Sequence, residues 1–138
     1  MKRDWDYIRK LLTDVEEDSD VLADMPTQPR WTDDLTEQQY NEIYKKYKEA
    51  DDRICGHLEL LTENGYIKGL KVEQGASGEW QCSMYSPRLT MAGHDLLNTM
   101  RSDGVWEKIK KTARDKGVEL TFDVIKTIGA ALLKQLFP

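Results

Sequence analysis

The stretch Asp51-Asp52-Arg53-Ile54-Cys55-Gly56-His57-Leu58-Glu59-Leu60-Leu61-Thr62-Glu63-Asn64-Gly65-Tyr66-Ile67 carries a change from one hydrophobic period to another. Ile54, Leu58 and Leu61 recur at i, i+4 and i+7, the spacing of a helix with one apolar face. The acidic pair Asp51-Asp52 suits the start of a helix, and Asn64-Gly65 suits its end, because glycine takes the left-handed conformation there at no steric cost. Past Gly65 the period falls to two. Leu70 and Val72 on one arm, and Trp80, Cys82 and Met84 on the other, alternate with polar residues around Gly75-Ala76-Ser77-Gly78. This pattern predicts a β-hairpin, Tyr66 to Val72 and Trp80 to Tyr85, with a glycine-rich tip and Pro87 closing it.

Working upstream, Asp4 is a suitable N-cap for a first helix whose face holds Trp5, Tyr7, Ile8, Leu11, Leu12 and Val15. The acidic run Glu16 to Asp20 ends it, and Met25-Pro26 to Pro29-Arg30 reads as extended linker or edge strand. Thr36-x-x-Gln39 has the form of a capping box and opens a second helix, with Leu35 placed to staple against Tyr40. Tyr40, Ile43, Tyr44 and Tyr47 line one face. Such a stripe can stack nucleobases, but at helical spacing the expectation is core, with the hydroxyls reaching the rim.

Downstream, Thr90 caps a fourth helix with His94, Leu96, Leu97 and Met100. A fifth follows Ser102, carries Val105, Trp106 and Ile109, and ends at Lys116-Gly117. Thr121 caps a sixth, whose apolar face includes Phe122, Val124, Ile125, Ile128, Leu132, Leu133 and Leu136. So broad a face calls for two packing surfaces, either within the chain or on a second subunit.

Helix, short extended piece, helix, helix and hairpin is the order of a winged helix-turn-helix, with the third helix as recognition helix and Gly75 to Gly78 as wing tip. The expected fold is therefore mainly α with a β-hairpin wing and C-terminal helices. Residues 1–101 form the winged-helix-like domain and residues 102–138 a helical extension, packed in the same unit or serving dimerisation. The segment His57 to Ile67 resembles the helix-into-strand segment of many bacterial winged-helix regulators. Ser86-Pro87-Arg88-Leu89-Thr90-Met91-Ala92-Gly93-His94-Asp95-Leu96-Leu97 resembles the strand-into-helix segment after their wing, most specifically in Leu-Thr-x-x-Gly. Over nearly the whole chain, Met1-Lys2-Arg3-Asp4-Trp5-Asp6, Ile8-Arg9-Lys10, His57-Leu58, Arg88-Leu89-Thr90 with Gly93-His94, and Val105-Trp106 resemble a family of small uncharacterised proteins of bacteria, phages and prophages, a domain of unknown function. The resemblance implies a winged-helix-like cytosolic or phage protein and brings no catalytic residues with it. The long, Tyr/Lys-rich second helix departs from that pattern and alters how the turn would be presented.

Charge bears directly on function. The chain has 138 residues, with 20 Lys/Arg against 25 Asp/Glu and a net charge of −5. The balance is uneven: residues 1–65 carry nine Lys/Arg against seventeen Asp/Glu, and residues 66–138 carry eleven against eight. The basic residues Lys108, Lys110, Lys111, Arg114 and Lys116 cluster in the second half, interspersed with Glu107 and Asp115, as on a solvated helix face. The expected recognition helix, Asp51 to Asn64, holds Arg53 against Asp51, Asp52, Glu59 and Glu63, a net −3. Acidic groups beside phosphates oppose the counterion release that drives DNA binding. If DNA is bound, Arg53, His57, Lys68 and Lys71 are the side chains to carry it.

The two histidines, His57 and His94, both fall near the wing. Placed together, with Cys55, Cys82 or Asp95, they would form a metal or pH-sensing site, but the spacing matches no metal motif and structural histidines are the expectation. Cys55 and Cys82 read as structural thiols. No catalytic residue, metal ligand or cofactor is assigned, no segment is long and apolar enough to span a bilayer, and a reducing bacterial cytoplasm is the simplest setting. The leading expectation is a non-enzymatic phage or bacterial regulatory module acting through protein contact. Its contact surface is expected at Trp106 and along the last helix at Ile125, Ile128, Leu132 and Leu136, with a homodimer through that helix as one form. Sequence-specific DNA binding is the second reading. A third, suggested by the acidic first half, is a phage inhibitor that mimics nucleic acid to a host machine.

Overall fold

A computed structural model describes residues 1–137 and is mainly helical, with one antiparallel hairpin. Helix α1 (Trp5–Glu16) begins where the Asp4 carboxylate accepts from the Tyr7 amide at 3.1 Å, satisfying one of the helix's free N–H groups. Its Tyr7, Ile8, Leu11, Leu12 and Val15 are buried, as the periodicity predicts. The segment after it holds no strand, although Val21 is buried with the core and Met25 packs against it.

Helix α2 (Glu37–Glu63) corrects the expected layout. It is one helix of 27 residues, and the helix break expected at Asp51-Asp52 is absent. The physical reason is that no Gly or Pro stands between Thr36 and Asp51, and aspartate alone does not stop a helix already under way. The capping box at its start is formed in both directions, with the Thr36 hydroxyl accepting from Gln39 N–H at 3.1 Å and the Gln39 side chain from Thr36 N–H at 3.0 Å. It ends at Asn64, and Gly65 adopts φ +75°.

Strands β1 (Ile67–Gln74) and β2 (Trp80–Leu89) pair with Ile67 opposite Leu89 and Val72 opposite Cys82. Both run longer than expected, and Pro87 lies inside β2 rather than closing the hairpin. The ladder is irregular here: Lys68 faces Arg88 but Leu70 faces Met84, so residues 85–87 stand opposite Gly69 alone. A proline in that bulge removes no ladder hydrogen bond. Gly69 has φ +80°, and a Cβ on it would fall 1.8 Å from the Ser86 carbonyl oxygen, so only glycine fits.

Helices α3 (Met91–Arg101), α4 (Asp103–Asp115) and α5 (Phe122–Leu136) start at the expected caps Thr90 and Thr121 and, for α4, at Ser102, whose hydroxyl accepts from Val105 N–H. The Leu-Thr-x-x-Gly motif has a local cause. Thr90 accepts from Gly93 N–H at 3.0 Å and donates its own N–H to the Tyr66 carbonyl at 3.0 Å. A Cβ on Gly93 would meet that same carbonyl oxygen at 2.1 Å, so glycine lets α3 sit against the start of β1.

One core joins these elements. Ile8, Leu11 and Leu12 of α1 pack in it with Leu58 and Leu61 of α2, Leu96, Leu97 and Met100 of α3, Trp106 and Ile109 of α4, and Ile125 of α5. Residues 102–137 thus share the hydrophobic core of residues 1–101. No helix among the described residues is long and apolar enough to cross a membrane. Leu58, wholly buried, and Ile43, exposed on the same helix, should respond differently to truncation. Urea unfolding at low protein concentration should show Leu58→Ala losing about 2–5 kcal/mol and Ile43→Ala changing by about 0.5 kcal/mol or less; equal losses would contradict this division of α2.

Candidate functional site

Helix α2 carries one continuous stripe. Tyr40, Tyr44, Tyr47, Asp51, Ile54, Leu58 and Leu61 follow at alternating steps of four and three, so they share a face along the whole helix. Only its inner half is covered: the buried residues begin at Asp51, and none lies between Glu37 and Ala50. The outer half is an arm beyond the core. The tyrosine stripe expected in the core therefore lies outside it, with Tyr44 exposed and Tyr40 and Tyr47 half-buried.

On this arm the aromatic rings contact one another. Trp31 meets Tyr40 edge-on with ring centres 5.5 Å apart, Tyr40 stacks with Tyr44 at 6.1 Å, and Tyr44 lies 6.1 Å from Tyr47. Trp31 is 52% exposed, Ile43 45% and Tyr44 40%. Partial burial, and then the nearby Asp51 carboxylate, push the Tyr47 hydroxyl above the usual tyrosine range, so it stays neutral at physiological pH. Sequence reasoning placed Tyr40 to Tyr47 on one face but missed that the face is open. The readable signal was that the stripe runs through Asp51 without a break, making the arm a continuation of a helix already anchored elsewhere.

The hairpin lies on the inner half of α2. Trp80 Nε1 donates to Asp52 Oδ1 at 2.8 Å, Lys48 pairs with the same carboxylate at 2.9 Å, and Lys48 also donates to the Gly78 carbonyl at the hairpin tip. The free thiols of Cys55 and Cys82 stand 3.5 Å apart in the same seam. Burial, and then the neighbouring Cys82, push the Cys55 thiol up, which keeps it protonated and inert as expected of a structural thiol.

The residues expected to carry DNA binding are placed unequally. Arg53 gives its guanidinium to Asp4 Oδ2 at 2.8 Å and covers the Tyr7 ring at 4.1 Å. His57 is fully buried and cannot meet DNA, which corrects its assignment. Its Nε2 accepts from Asp4 N–H at 2.9 Å, so that nitrogen carries no proton, and Nδ1 donates to the Arg53 carbonyl at 2.6 Å. Lys71 pairs with Glu73 of its own strand at 3.2 Å, and Lys68 is exposed. The expected recognition helix is neither separate nor bare.

His94 has different neighbours from His57. Its Nδ1 lies 3.5 Å from Glu16, whose carboxylate also holds Arg101 at 2.7 Å, whereas Asp4, Tyr7 and Arg53 surround His57. No group of three metal-ligating side chains occurs among the described residues. A cleft of about 650 Å³ beside the N-terminal segment is lined by Asp4 with Arg53 and Asp6 with Lys110, each already an ion pair.

The expected contact surface also needs correction. Trp106 is 1% exposed and Ile125 wholly buried, so neither can meet a partner. Trp106 fills the core while its Nε1 donates to Asp6 Oδ1 at 2.7 Å. Ile128 and Leu132 pack half-buried against that core, and only Leu136 of the set stands clear, 59% exposed. The breadth of the α5 face is met largely within the chain.

A mainly α chain with one clamped hairpin and an open aromatic arm is thus the class of protein defined. The family described as "Hypothetical protein (DUF2513)" matches residues 2–119, and the chain belongs to it. It is similar to an uncharacterized protein of Haemophilus influenzae, 27% identical over 137 residues that cover 99% of this chain and 98% of that protein. No solved structure matches. The resemblance to a family of unknown function seen in the sequence is borne out.

His57 supplies a test of this geometry. Burial, the largest cause, lowers its pKa from 6.5, against the opposing pull of its Arg53 carbonyl contact and the Asp4 charge. The unfolded chain therefore binds the proton more readily, and stability should fall as pH drops below about 6.5 toward the lowered folded value. Urea midpoints between pH 7.5 and 5 should fall in the native chain and flatten in His57→Gln. Asp4 and Asp6, both lowered from 3.8, respond below this window. A native chain that gains stability on acidification would contradict a neutral His57.

Proposed function

We propose that this chain is a non-enzymatic regulatory module of the bacterial cytoplasm that acts by protein contact, with the outer arm of α2 as its contact surface. The observation that carries this is the ladder of Trp31, Tyr40, Tyr44 and Tyr47, with Trp31 and Tyr44 exposed and Tyr40 and Tyr47 half-buried, beside an exposed Ile43. Aromatic side chains of this kind provide large contact area at low entropy cost and are enriched where proteins meet. A groove or helix face displaying them is a common way of binding a partner helix.

The same geometry weighs against a DNA-reading role. Of the four side chains that would serve it, His57 is buried, Arg53 is paired with Asp4 and Lys71 with Glu73. The hairpin tip is held to α2 through Lys48, which restrains it as a wing. A conventional reader needs cations at the phosphates and free polar groups at the bases, and few of either are free here.

Fluorescence polarisation with labelled duplex DNA at low salt tests the proposal, alongside a photo-crosslinking residue placed at Tyr44 in living cells. The expected result is no polarisation change up to about 10 μM protein, where non-specific DNA binders already respond, with discrete protein crosslinks at position 44. Salt-dependent DNA binding that weakens in Lys68→Ala or Arg53→Ala, or an absence of crosslinks, would overturn it.

A further inference from the structure

The seam between the inner half of α2 and the hairpin is held at three points, and the third brings together both of the chain's cysteines. Lys48 reaches the Gly78 carbonyl, Trp80 donates to Asp52, and the sulfur of Cys82 lies 3.5 Å from that of Cys55. Trp80 and Cys82 are two residues apart in β2, so they share the face turned to the helix. Cys55 stands one helical turn after Asp51, and its thiol donates to Asp51 Oδ1 at 3.6 Å. Lys48 pairs with the adjacent Asp52, which leaves the buried Asp51 carboxylate to accept from the thiol.

Packing alone does not account for this arrangement. A buried carboxylate is costly unless it is well paired, and a thiol is a weak donor. Carboxylate, buried thiol and second thiol are, however, the three parts that disulfide formation needs. They supply an acceptor for the proton, a sulfur that attacks and a sulfur that is attacked.

We propose that Cys55 and Cys82 form a redox-modification site, in which hydrogen peroxide oxidises Cys82 and Cys55 then closes a disulfide that locks the hairpin to α2. Cys82 is half-buried and Cys55 buried, so Cys82 is the sulfur that a small oxidant meets first. As thiolate, Cys82 attacks one peroxide oxygen. The O–O bond breaks, hydroxide leaves and is protonated to water, and Cys82 becomes a sulfenic acid. The Cys55 sulfur then attacks the Cys82 sulfur as its proton passes to Asp51. The S–S bond forms, the S–O bond breaks, and the departing hydroxide takes up a proton to leave as a second water. Two thiols together lose two electrons, and one peroxide is reduced to two waters.

Burial first, and then Cys82 and Asp51, hold Cys55 protonated in the reduced chain, which makes it inert toward reagents in solution. Oxidation of Cys82 turns that neighbour from a competing thiol into an electrophile in contact. Bonding the two sulfurs means closing 3.5 Å to about 2.0 Å, a movement that rotation of two side chains shares. The cysteines lie 27 residues apart in sequence, so the bond also closes a long loop in the unfolded chain and favours the folded, oxidised form.

Hydrogen peroxide added to the reduced full chain, followed by intact mass and by thiol titration in denaturant, tests the proposal. The expected product is lighter by two hydrogens, has no free thiol, runs as a single chain on a non-reducing gel and reverts with dithiothreitol. Its urea midpoint should lie above that of the reduced chain. Cys55→Ser should stop at a Cys82 sulfenic acid that dimedone captures, and Cys82→Ser should leave Cys55 unlabelled while folded. Asp51→Asn should slow disulfide closure at least about ten-fold, as for loss of a proton acceptor, with the sulfenic acid captured in the interval. Circular dichroism checks that each variant keeps its fold. In the native chain, oxidation that stops at an added oxygen, coupling of two chains, or a disulfide form less stable than the reduced one would overturn the lock. Equal closure rates in the native chain and a folded Asp51→Asn would overturn the part given to Asp51.

Discussion

The backbone N–H of Asp4 donates to His57 Nε2 across 53 residues of sequence, and much of the molecule is arranged around that bond. The same Asp4 caps α1 through its side chain and holds Arg53 by its other carboxylate oxygen. Arg53 in turn supplies the carbonyl that fixes the opposite edge of the His57 ring. One short segment therefore starts a helix, neutralises a cation and satisfies a buried imidazole. A buried imidazole without both partners would carry the desolvation cost of an unpaired polar group. With both, it ties the inner half of α2 to the start of α1.

A second tie, at the second residue of α1, does similar work for the other half of the protein. Asp6 accepts from Trp106 Nε1 and from Lys110, so α4 is drawn onto the N-terminus of α1. Phe122 packs edge-on against Trp5 and also against Tyr66, which places the start of α5 over both. These contacts explain why residues 102–137 join the main core. The same acids and aromatic rings that look like surface features in a linear sequence are consumed in closing the body.

What could be read from the sequence follows from the range of the forces involved. Caps are local, and Asp4, Thr36 with Gln39, Thr90 and Thr121 were all legible and all form. The hairpin was legible from its period and glycine-rich tip. The continuity of α2 was less so, because Asp51-Asp52 imitates a helix start, although Asp51 lies on the same stripe as Tyr47 and Ile54. Burial was the part that local pattern could not decide. Tyr44 and Leu58 have equivalent helical positions, and only the arrangement of distant elements makes one exposed and the other buried. Trp106 shows the converse: nothing near it in sequence names Asp6, a hundred residues away, as the group that lets its indole N–H enter the core.

The same distinction changes the meaning of the chain's acidity. The first 65 residues carry a large acidic excess, which as a bare number suggests a surface imitating nucleic acid. Such a surface needs carboxylates that are free and regularly spaced, since a phosphate backbone is both. Here Asp4 is taken by Arg53, Asp6 by Lys110, Asp14 by Lys10, Glu16 by Arg101 and Asp52 by Lys48. Although individual pairs of this kind at the surface add little stability, they cancel the local field that a competing polycation would feel. The acidity left exposed falls in two separate runs, Glu17, Asp18 and Asp20 after α1 and Asp33, Asp34, Glu37 and Glu42 at the start of α2. Neither run has the regular spacing of a phosphate backbone. Carboxylates that are paired or split in this way offer little to a polycation, and what sets α2 apart is its aromatic arm, where Trp31, Ile43 and Tyr44 stand exposed.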